Sequence, residues 1–244
     1  MVDTHCHLDM CEPGSLDRAR EAGLTHVATI GMNSETWPKA VELAEQNDDV
    51  YAIVGVHPNE AAGFDETAIE EVRERALGGK VVAIGETGLD YYRDYAPKDD
   101  QQRSFEAHLE LASDLGLPVV IHTRQAEADT FAALRDFGGT VILHCFSSPD
   151  RVEECVERGY VCSFAGNVTY PKSRDLQRAA KAIPAELLMV ETDAPFLSPQ
   201  PVRGKPNEPG NVTHTARFVA ELRGADYEEL DALVERNAAR VFGW

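Results

Sequence analysis

Two histidines separated by a single residue stand almost at the start of the chain, in the run Asp3-Thr-His-Cys-His-Leu-Asp9. In a β-strand, residues two apart point to the same face. His5 and His7 can therefore bind one metal ion from one strand edge. An HxH pair alone is a modest signal, so its weight depends on whether similar residues occur in equivalent places.

Further histidines and carboxylates occur where other strand-like apolar runs end. They are His57, Glu86, His122, His144 and Asp193, so that five of the eight histidines lie at predicted strand ends. The other three, His26, His108 and His214, are predicted to be structural or exposed. Burial of each of these groups without a partner is unfavourable, and a bound metal offsets that penalty. Because these residues all stand at the ends of successive predicted strands, the sequence predicts a metal site.

The number of such residues indicates more than one ion. Catalytic zinc sites typically use three protein ligands and keep one position open. Four histidines and two carboxylates fit two ions, with one carboxylate bridging them. Two ions lower the pKa of a shared water and stabilise both oxygens of a displacement. The predicted chemistry is hydrolysis, with a phosphoester as the favoured substrate.

The elements that must position these residues follow a regular alternation. Strand-like runs and amphipathic, helix-like segments take turns along the 244 residues, which predicts a single-domain (β/α)8 barrel over residues 1–244. An open doubly wound sheet would need a Gly-rich loop after the first strand, and here that strand ends in His-Cys-His. The strands are predicted near residues 2–7, 26–31, 51–56, 81–86, 118–122, 140–146, 160–165 and 187–192.

The amino-acid composition indicates the cellular location of the protein. No apolar run is long enough for a membrane span, no secretory leader is evident, and the five cysteines lack CxxC spacing, which predicts a cytoplasmic protein.

The formal net charge is −19, from 42 acidic and 23 basic residues, of which only six are lysine. Such a surface repels nucleic acid at long range and is compatible with a small-molecule substrate. The scarcity of lysine favours a second explanation, adaptation to a high-salt cytoplasm, where screening removes most of that repulsion.

A set of motifs along nearly the whole chain resembles the TatD family of metal-dependent deoxyribonucleases, within the amidohydrolase-like barrels. In chain order, the set comprises Asp3 to Asp9, Gly55-Val-His-Pro58, Gly85-Glu-Thr-Gly-Leu-Asp-Tyr91, Ile121-His-Thr-Arg124, His144-Cys-Phe-Ser147, Glu191-Thr-Asp-Ala-Pro195, Arg203 to Pro209 and Asn237 to Gly243. Each motif is weak alone, and the order makes the set specific. Many related amidohydrolases bridge their ions with a modified lysine, whereas Glu86 occupies the corresponding place here.

The resemblance implies a role for each candidate residue. It implies that His5, His7 and Asp193 hold one ion, that His122 and His144 hold the other, and that Glu86 bridges the two. Asp193 would be the general base, and His57 would lie near the phosphate rather than among the ligands. Arg124, Tyr92 and Arg203 are candidates for contacts with phosphate or base, with surface ion pairing or packing as the alternative. Asn207 and Glu208 are expected to order the loop that contains them.

The resemblance also implies an activity, a cofactor and a partner. The activity would be hydrolysis of DNA phosphodiester bonds, as by a 3′ exonuclease, with single-stranded DNA or 3′ ends as substrate. The cofactor would be two divalent ions, Zn²⁺, Mg²⁺ or Mn²⁺, and no membrane or obligate protein partner is expected. One alternative is a small-molecule hydrolase for a lactone, amide or phosphoester on the same barrel. The other is a metal-stabilised interaction module without enzyme activity.

Overall fold

A computed structural model describes residues 1–93 and 95–244, and in this part of the chain eight strands alternate with helices. The strands are β1 (Val2–Cys6), β2 (His26–Gly31), β3 (Val50–Val54), β4 (Val81–Asp90), β5 (Val119–Arg124), β6 (Val141–Leu143), β7 (Val161–Phe164) and β8 (Leu188–Val190). The α-helices are α1 (Ser15–Glu21), α2 (Trp37–Gln46), α3 (Glu66–Ala76), α4 (Lys98–Leu115), α5 (Glu127–Ala133), α6 (Val152–Arg158), α7 (Arg174–Ala182), α8 (Val212–Arg223) and α9 (Tyr227–Phe242).

All eight strands belong to one sheet, in which the strand order is the chain order. The neighbouring strands pair in parallel, for example Val2 with His26 and Val119 with Val141. After β8 the chain returns to the first strand, where Ala194 forms a parallel bridge with Cys6. Parallel strands in sequential order, each followed by a helix, form a (β/α)8 barrel. The predicted fold class is confirmed.

Contacts within the chain divide it into two compact units. One unit contains residues 1–29 and 144–244, and the other contains residues 30–143. Each unit has strands that are mostly buried and apolar, such as Val50–Val54 and Leu188–Val190, as expected for parallel strands covered on both faces. That residues 1–244 act as a single domain stays a prediction.

Local signals explain where several helices begin and end. Asp65 precedes α3, and its carboxylate accepts a hydrogen bond from the Ala68 N–H at 3.1 Å, as an N-cap residue does. The helices α4 and α6 end at Gly116 and Gly159, whose φ angles of 65° and 69° require a left-handed backbone. At these glycines the chain leaves the helix and turns into the following strand, β5 after α4 and β7 after α6.

The strand β4 is longer than predicted, and this changes the position of Glu86. The sequence predicts that this strand ends at Glu86, and that bound is wrong. β4 continues to Asp90 because it pairs with β5, with Gly88 opposite His122. A Cβ atom at Gly88 would lie 2.1 Å from the His122 carbonyl oxygen, so the glycine permits a close approach of two strands.

None of the helices in the described part of the chain has the length and apolar character that crossing a membrane requires.

Candidate metal centre

The unit of residues 1–29 and 144–244 contains a cluster formed by His5, His7 and Asp193. Asp193 Oδ1 lies 3.4 Å from His7 Nε2 and 3.9 Å from His5 Nε2. One ligand-type atom from each of the three residues lies within 4.8 Å of the other two. Both histidines are buried, and the Asp193 side chain is 15% exposed. The cluster therefore has a buried side made of imidazole and an accessible side at the carboxylate.

Backbone pairing fixes the relative positions of these residues. His5 lies inside β1, and its carbonyl accepts a hydrogen bond from the Asp193 N–H at 2.9 Å. The His7 N–H donates to the Ala194 carbonyl at 2.8 Å. Asp193 has a φ of 55°, which is uncommon for a residue other than glycine and is typical of strained positions at functional sites. This turn follows β8 and directs the carboxylate toward the two histidines.

The neighbouring histidines determine the protonation state of Asp193. Burial alone would raise the pKa of this carboxyl, but the hydrogen bond from His7 and the nearby His144, His7 and His5 lower it below its usual value. Asp193 is therefore a carboxylate at neutral pH. An ionised carboxylate beside two imidazoles is the charge state that a divalent cation requires of its ligands.

A further carboxylate, the buried Asp3, supports β1 without joining the cluster. Asp3 accepts hydrogen bonds from the Thr192 N–H at 2.9 Å and from the His5 N–H at 3.3 Å. Burial raises the pKa of Asp3 well above its usual value, and these hydrogen bonds oppose the change. Its role is to hold β1 against the chain that follows β8. Asp3 was not among the predicted site residues, although it lies two residues before His5 and so on the same strand face.

His144 lies against His5 in the same unit. The two rings stack with centroids 3.8 Å apart and an interplanar angle of 16°. His144 Nδ1 lies 2.9 Å from Glu191 Oε1, which also accepts the Cys145 N–H at 2.8 Å. Because a carboxylate accepts, Nδ1 bears the proton and Nε2 is the nitrogen with a lone pair for a metal. Glu191 was not among the predicted site residues.

The unit of residues 30–143 contains a second cluster, formed by His57, Glu86 and His122. Glu86 Oε1 lies 2.8 Å from His122 Nδ1 and 3.4 Å from His57 Nε2, and one ligand-type atom from each residue lies within 4.8 Å of the others. The resemblance implied that His57 stands outside the ligand set. The structure places His57 beside Glu86 through Nε2, at a longer distance than His122, and its place outside the ligand set stays a prediction.

Asp90 orients His122, and sequence reasoning missed it. Its Oδ2 lies 3.3 Å from His122 Nε2, while Oδ1 accepts the Tyr92 and Arg93 N–H groups at 2.9 and 3.0 Å. Burial would raise the pKa of Asp90, but His122 and these backbone donors lower it to about 2. Asp90 and Glu86 thus each lie within hydrogen-bond distance of one ring nitrogen of His122, and together they fix the orientation of the ring. The only signal in the sequence was a carboxylate following the Gly-Glu-Thr-Gly run.

The three candidates for substrate contacts lie on exposed loops or strand ends. The Arg124 guanidinium stacks over the Tyr92 ring at 3.8 Å, and the Tyr92 side chain is 55% exposed. The Arg203 guanidinium stacks over the Tyr170 ring at 3.9 Å. Stacking holds each cation flat against a ring while its N–H groups can still bind an anion. Their function as substrate contacts stays a prediction.

The donor atoms of both clusters suit a divalent metal. A tetrahedral ion with bonds of about 2.0–2.1 Å separates its ligand atoms by about 3.4 Å. The separation is 3.4 Å between His7 Nε2 and Asp193 Oδ1 and between His57 Nε2 and Glu86 Oε1, whereas His122 Nδ1 lies at a hydrogen-bond distance of 2.8 Å from Glu86 Oε1. His7 Nε2 and Asp193 Oδ1 face each other, which is unfavourable unless a proton or a cation lies between them. His57 differs, because its Nδ1 accepts the Asn59 N–H and Nε2 therefore carries the proton of the neutral ring toward Glu86. The residues therefore fit the metal ions that the sequence predicts.

Fold and site together define a metal-dependent hydrolase built on a (β/α)8 barrel. Residues 2–243 match the model of the family described as TatD related DNase. A relative from Bacillus subtilis, the "uncharacterized metal-dependent hydrolase YabD", is 36% identical, with 99% of this chain and 98% of that protein covered. The "3'-5' ssDNA/RNA exonuclease TatD" of Pectobacterium carotovorum is 34% identical over 92% of this chain and 90% of that protein.

Solved structures agree with this assignment. The crystal structure of the TatD homologue YJJV from Escherichia coli K12 superposes with a TM-score of 0.93 and 29% identity, covering 100% of this chain and 98% of that one. The chain belongs to the TatD family, and the predictions of this family and of an enzyme, a metal-dependent hydrolase, are confirmed.

Proposed function

We propose that the protein is a nuclease that hydrolyses phosphodiester bonds in single-stranded DNA, beginning at the 3′ end. The observation that carries this proposal is the pair of histidine–carboxylate clusters, each with donor atoms within 4.8 Å. Relatives named as 3'-5' ssDNA/RNA exonucleases support the choice of substrate and of polarity. Metal ions bound at the clusters would supply a water of lowered pKa and positive charge for the phosphate oxygens.

Asp193 is the proposed general base. Its Oδ1 faces His5 and His7, so Oδ2 is the oxygen that would accept the proton of the attacking water. The lowered pKa of Asp193 keeps it ionised, as a proton acceptor must be. The two histidines hold the carboxylate in one orientation, so that it is positioned for proton transfer before the substrate binds.

Glu86 and His57 are the proposed catalytic residues of the second cluster. Glu86 is 2% exposed and lies within 3.4 Å of both neighbouring imidazoles, so it holds two side chains in a fixed relation to the substrate phosphate. His57 Nδ1 accepts the Asn59 N–H at 3.0 Å, which directs Nε2 toward Glu86. Predicted bridging by Glu86 between two ions is part of this proposal.

Arg124, Tyr92 and Arg203 are the proposed contacts to the DNA chain. The guanidinium groups would bind phosphate oxygens, and the tyrosine ring provides an apolar face for a base. The net charge of −19 opposes long-range attraction of DNA. At molar salt the screening length is about 3 Å, so only short-range contacts of this kind decide binding.

A small-molecule hydrolase on the same barrel is the second candidate, and the acidic charge is the observation that favours it. Such an enzyme would cleave a lactone, amide or phosphoester with the same clusters. It would gain nothing from the exposed Arg–Tyr stacks, because a small substrate would be held at the clusters themselves.

The experiment that tests the proposal is cleavage of single-stranded DNA labelled at its 3′ or 5′ end. Chelator-treated protein receives Mg²⁺, Mn²⁺ or Zn²⁺ separately, at low and at molar KCl, beside chromogenic esters and phosphoesters. Glu86→Gln is the test variant. Glu110→Gln is its matched control, because Glu110 is an exposed residue of α4.

Metal-restored cleavage by the wild type and by Glu110→Gln, but not by Glu86→Gln, supports the nuclease. Early release of the 3′ label supports the polarity. Intact DNA in every condition, together with ester turnover that Glu86→Gln abolishes, would replace the nuclease with the small-molecule hydrolase. The active metal also identifies the cofactor, for which mixed nitrogen and oxygen ligands favour Zn²⁺ or Mn²⁺ over Mg²⁺.

A further inference from the structure

Phe196 is an exposed aromatic residue beside the cluster of His5, His7 and Asp193. Its side chain is 48% exposed, and among the described residues it is the one exposed phenylalanine, the other eight being buried or half-buried. The Phe196 ring packs edge-to-face on His7, with centroids 5.9 Å apart and an interplanar angle of 72°. One part of the ring therefore contacts the cluster while another part faces solvent.

Hydrogen bonds hold the backbone of Phe196 in one place. Its N–H donates to the Asp193 carbonyl at 2.8 Å, and its carbonyl accepts from Asn207 Nδ2 at 2.7 Å. Asn207 is 2% exposed and also donates to the Thr192 carbonyl at 3.0 Å. These bonds join the start of the loop after β8 to its far end, as expected for Asn207 from the sequence. They fix the backbone that carries the ring without burying the ring.

A second group of contacts holds the middle of the same loop. The Tyr170 hydroxyl donates to the Ser198 carbonyl at 3.0 Å, and the Gln200 N–H donates to Thr169 Oγ1 at 2.8 Å. A Cβ at Gly166 would lie 2.1 Å from the Leu197 carbonyl oxygen, so the loop packs on the backbone after β7. A loop tied at both ends and in its middle keeps its conformation before a substrate arrives.

An exposed phenylalanine contributes little to folding, and its ring has no polar group to interact with water. A fixed aromatic face next to the ligand cluster is instead suited to a flat, apolar partner. Nucleobases are such partners, and aromatic side chains bind them with little regard to sequence because every base has a π face. The Tyr92 and Tyr170 rings are each covered by an arginine, whereas the Phe196 ring forms a T-shaped pair with His7 and is 48% exposed.

We propose that Phe196 is a specificity-determining residue that stacks on the base of the nucleotide adjoining the cleaved phosphate. This inference rests on the proposed nuclease function and adds the substrate contact that favours a nucleotide over a phosphodiester without a base. Stacking binds the ground state and the transition state alike, so its loss raises KM and leaves kcat nearly unchanged. Truncation of a base-stacking aromatic weakens binding by roughly ten- to a hundredfold.

The test compares Phe196→Ala, Phe196→Leu and Phe196→Tyr with the wild type. The leucine variant keeps an apolar side chain without a π face, and the tyrosine variant keeps the ring. Each protein, loaded with metal, is given DNA that ends in a normal 3′ nucleotide or in a tetrahydrofuran residue that lacks a base. A second, non-kinetic measurement is the fluorescence of 2-aminopurine as the terminal base of a phosphorothioate-linked, uncleaved oligonucleotide, because stacking quenches it.

We expect the alanine and leucine variants to raise KM about ten- to a hundredfold on normal DNA, to leave cleavage of the baseless end within about twofold, and to abolish the quenching. The tyrosine variant should behave as the wild type does. Equal KM and equal quenching in all four proteins would overturn the stacking role while the nuclease stands. An equal loss on both substrates would also overturn it, because a structural defect does not distinguish a base from its absence. Failure of the wild type to cleave any DNA would instead refute the nuclease.

Discussion

His108 lies wholly inside the protein on α4 and links that helix to the chain that follows β3. Its Nε2 accepts the Val56 N–H at 3.0 Å, and its Nδ1 lies 2.6 Å from the Ser104 carbonyl. Burial lowers the pKa of His108 from 6.5 to about 4, although the bond to Ser104 opposes the change. The imidazole is therefore neutral in the folded protein over a pH range in which it is charged in the unfolded chain.

This difference makes the folded state less stable in acid. Below pH 6.5 the unfolded chain binds a proton that the folded protein refuses until about pH 4, so stability falls between these values. A shift of about 2.5 pKa units at 1.36 kcal/mol each corresponds to a loss of about 3 kcal/mol between pH 7 and pH 4. His108→Gln can still bond Val56 and Ser104 and does not titrate, so it should lack this component.

Urea unfolding of both proteins at fixed salt, at intervals from pH 7 to pH 4, measures the effect. Every other titrating group is common to the two proteins, so their difference isolates His108. We expect the free energy of unfolding of the wild type to fall by about 3 kcal/mol more than that of His108→Gln. If the free energies of unfolding of the two proteins fell in parallel with pH, His108 would not be a neutral, buried histidine in the folded protein.

Three further predictions concern the clusters and the strands that hold them. Asp90→Asn removes the charge that orients His122, and metal affinity measured by competition with a chromogenic chelator should fall about ten- to a hundredfold, while an unchanged affinity would exclude this role. Gly88→Ala places a Cβ 2.1 Å from the His122 carbonyl at a φ of 134° and should destabilise the fold by about 3 kcal/mol or more, whereas Gly138→Ala, with open space around it, should change little in the same urea assay. Metal added at about a hundred times its dissociation constant should raise the free energy of unfolding by about 2.7 kcal/mol per site, and a denaturation midpoint indifferent to metal would contradict the two clusters.

Much of the site could be predicted because residue type and chain position repeat. His5 and His7 share a face by strand alternation, and His144 directly follows a buried apolar run. A parallel barrel brings the carboxyl ends of all its strands to one face, so position in the strand–helix period suffices to group such residues. The ordering role of Asn207, by contrast, was implied by the family resemblance and not by its position in the strand–helix period.

The remainder depended on tertiary contacts that local sequence does not encode. The glycines around Glu86 favour a turn by local propensity, yet pairing with β5 extends β4 to Asp90. Asp90 and Glu191 are single carboxylates whose function follows only from the imidazole that each contacts. The buried state of His108 likewise depends on which residues pack around α4, and its position in a helix does not reveal it.

The central claim is that each of the two clusters holds a divalent ion. The most direct measurement is the number of metal ions per chain, by elemental analysis of purified protein after saturation and desalting, for the wild type, His7→Ala and His122→Ala. The account predicts two ions in the wild type and about one in each variant, since each substitution removes a ligand from a different cluster. Variants that retain the metal content of the wild type would show that the ions bind elsewhere and would contradict the account.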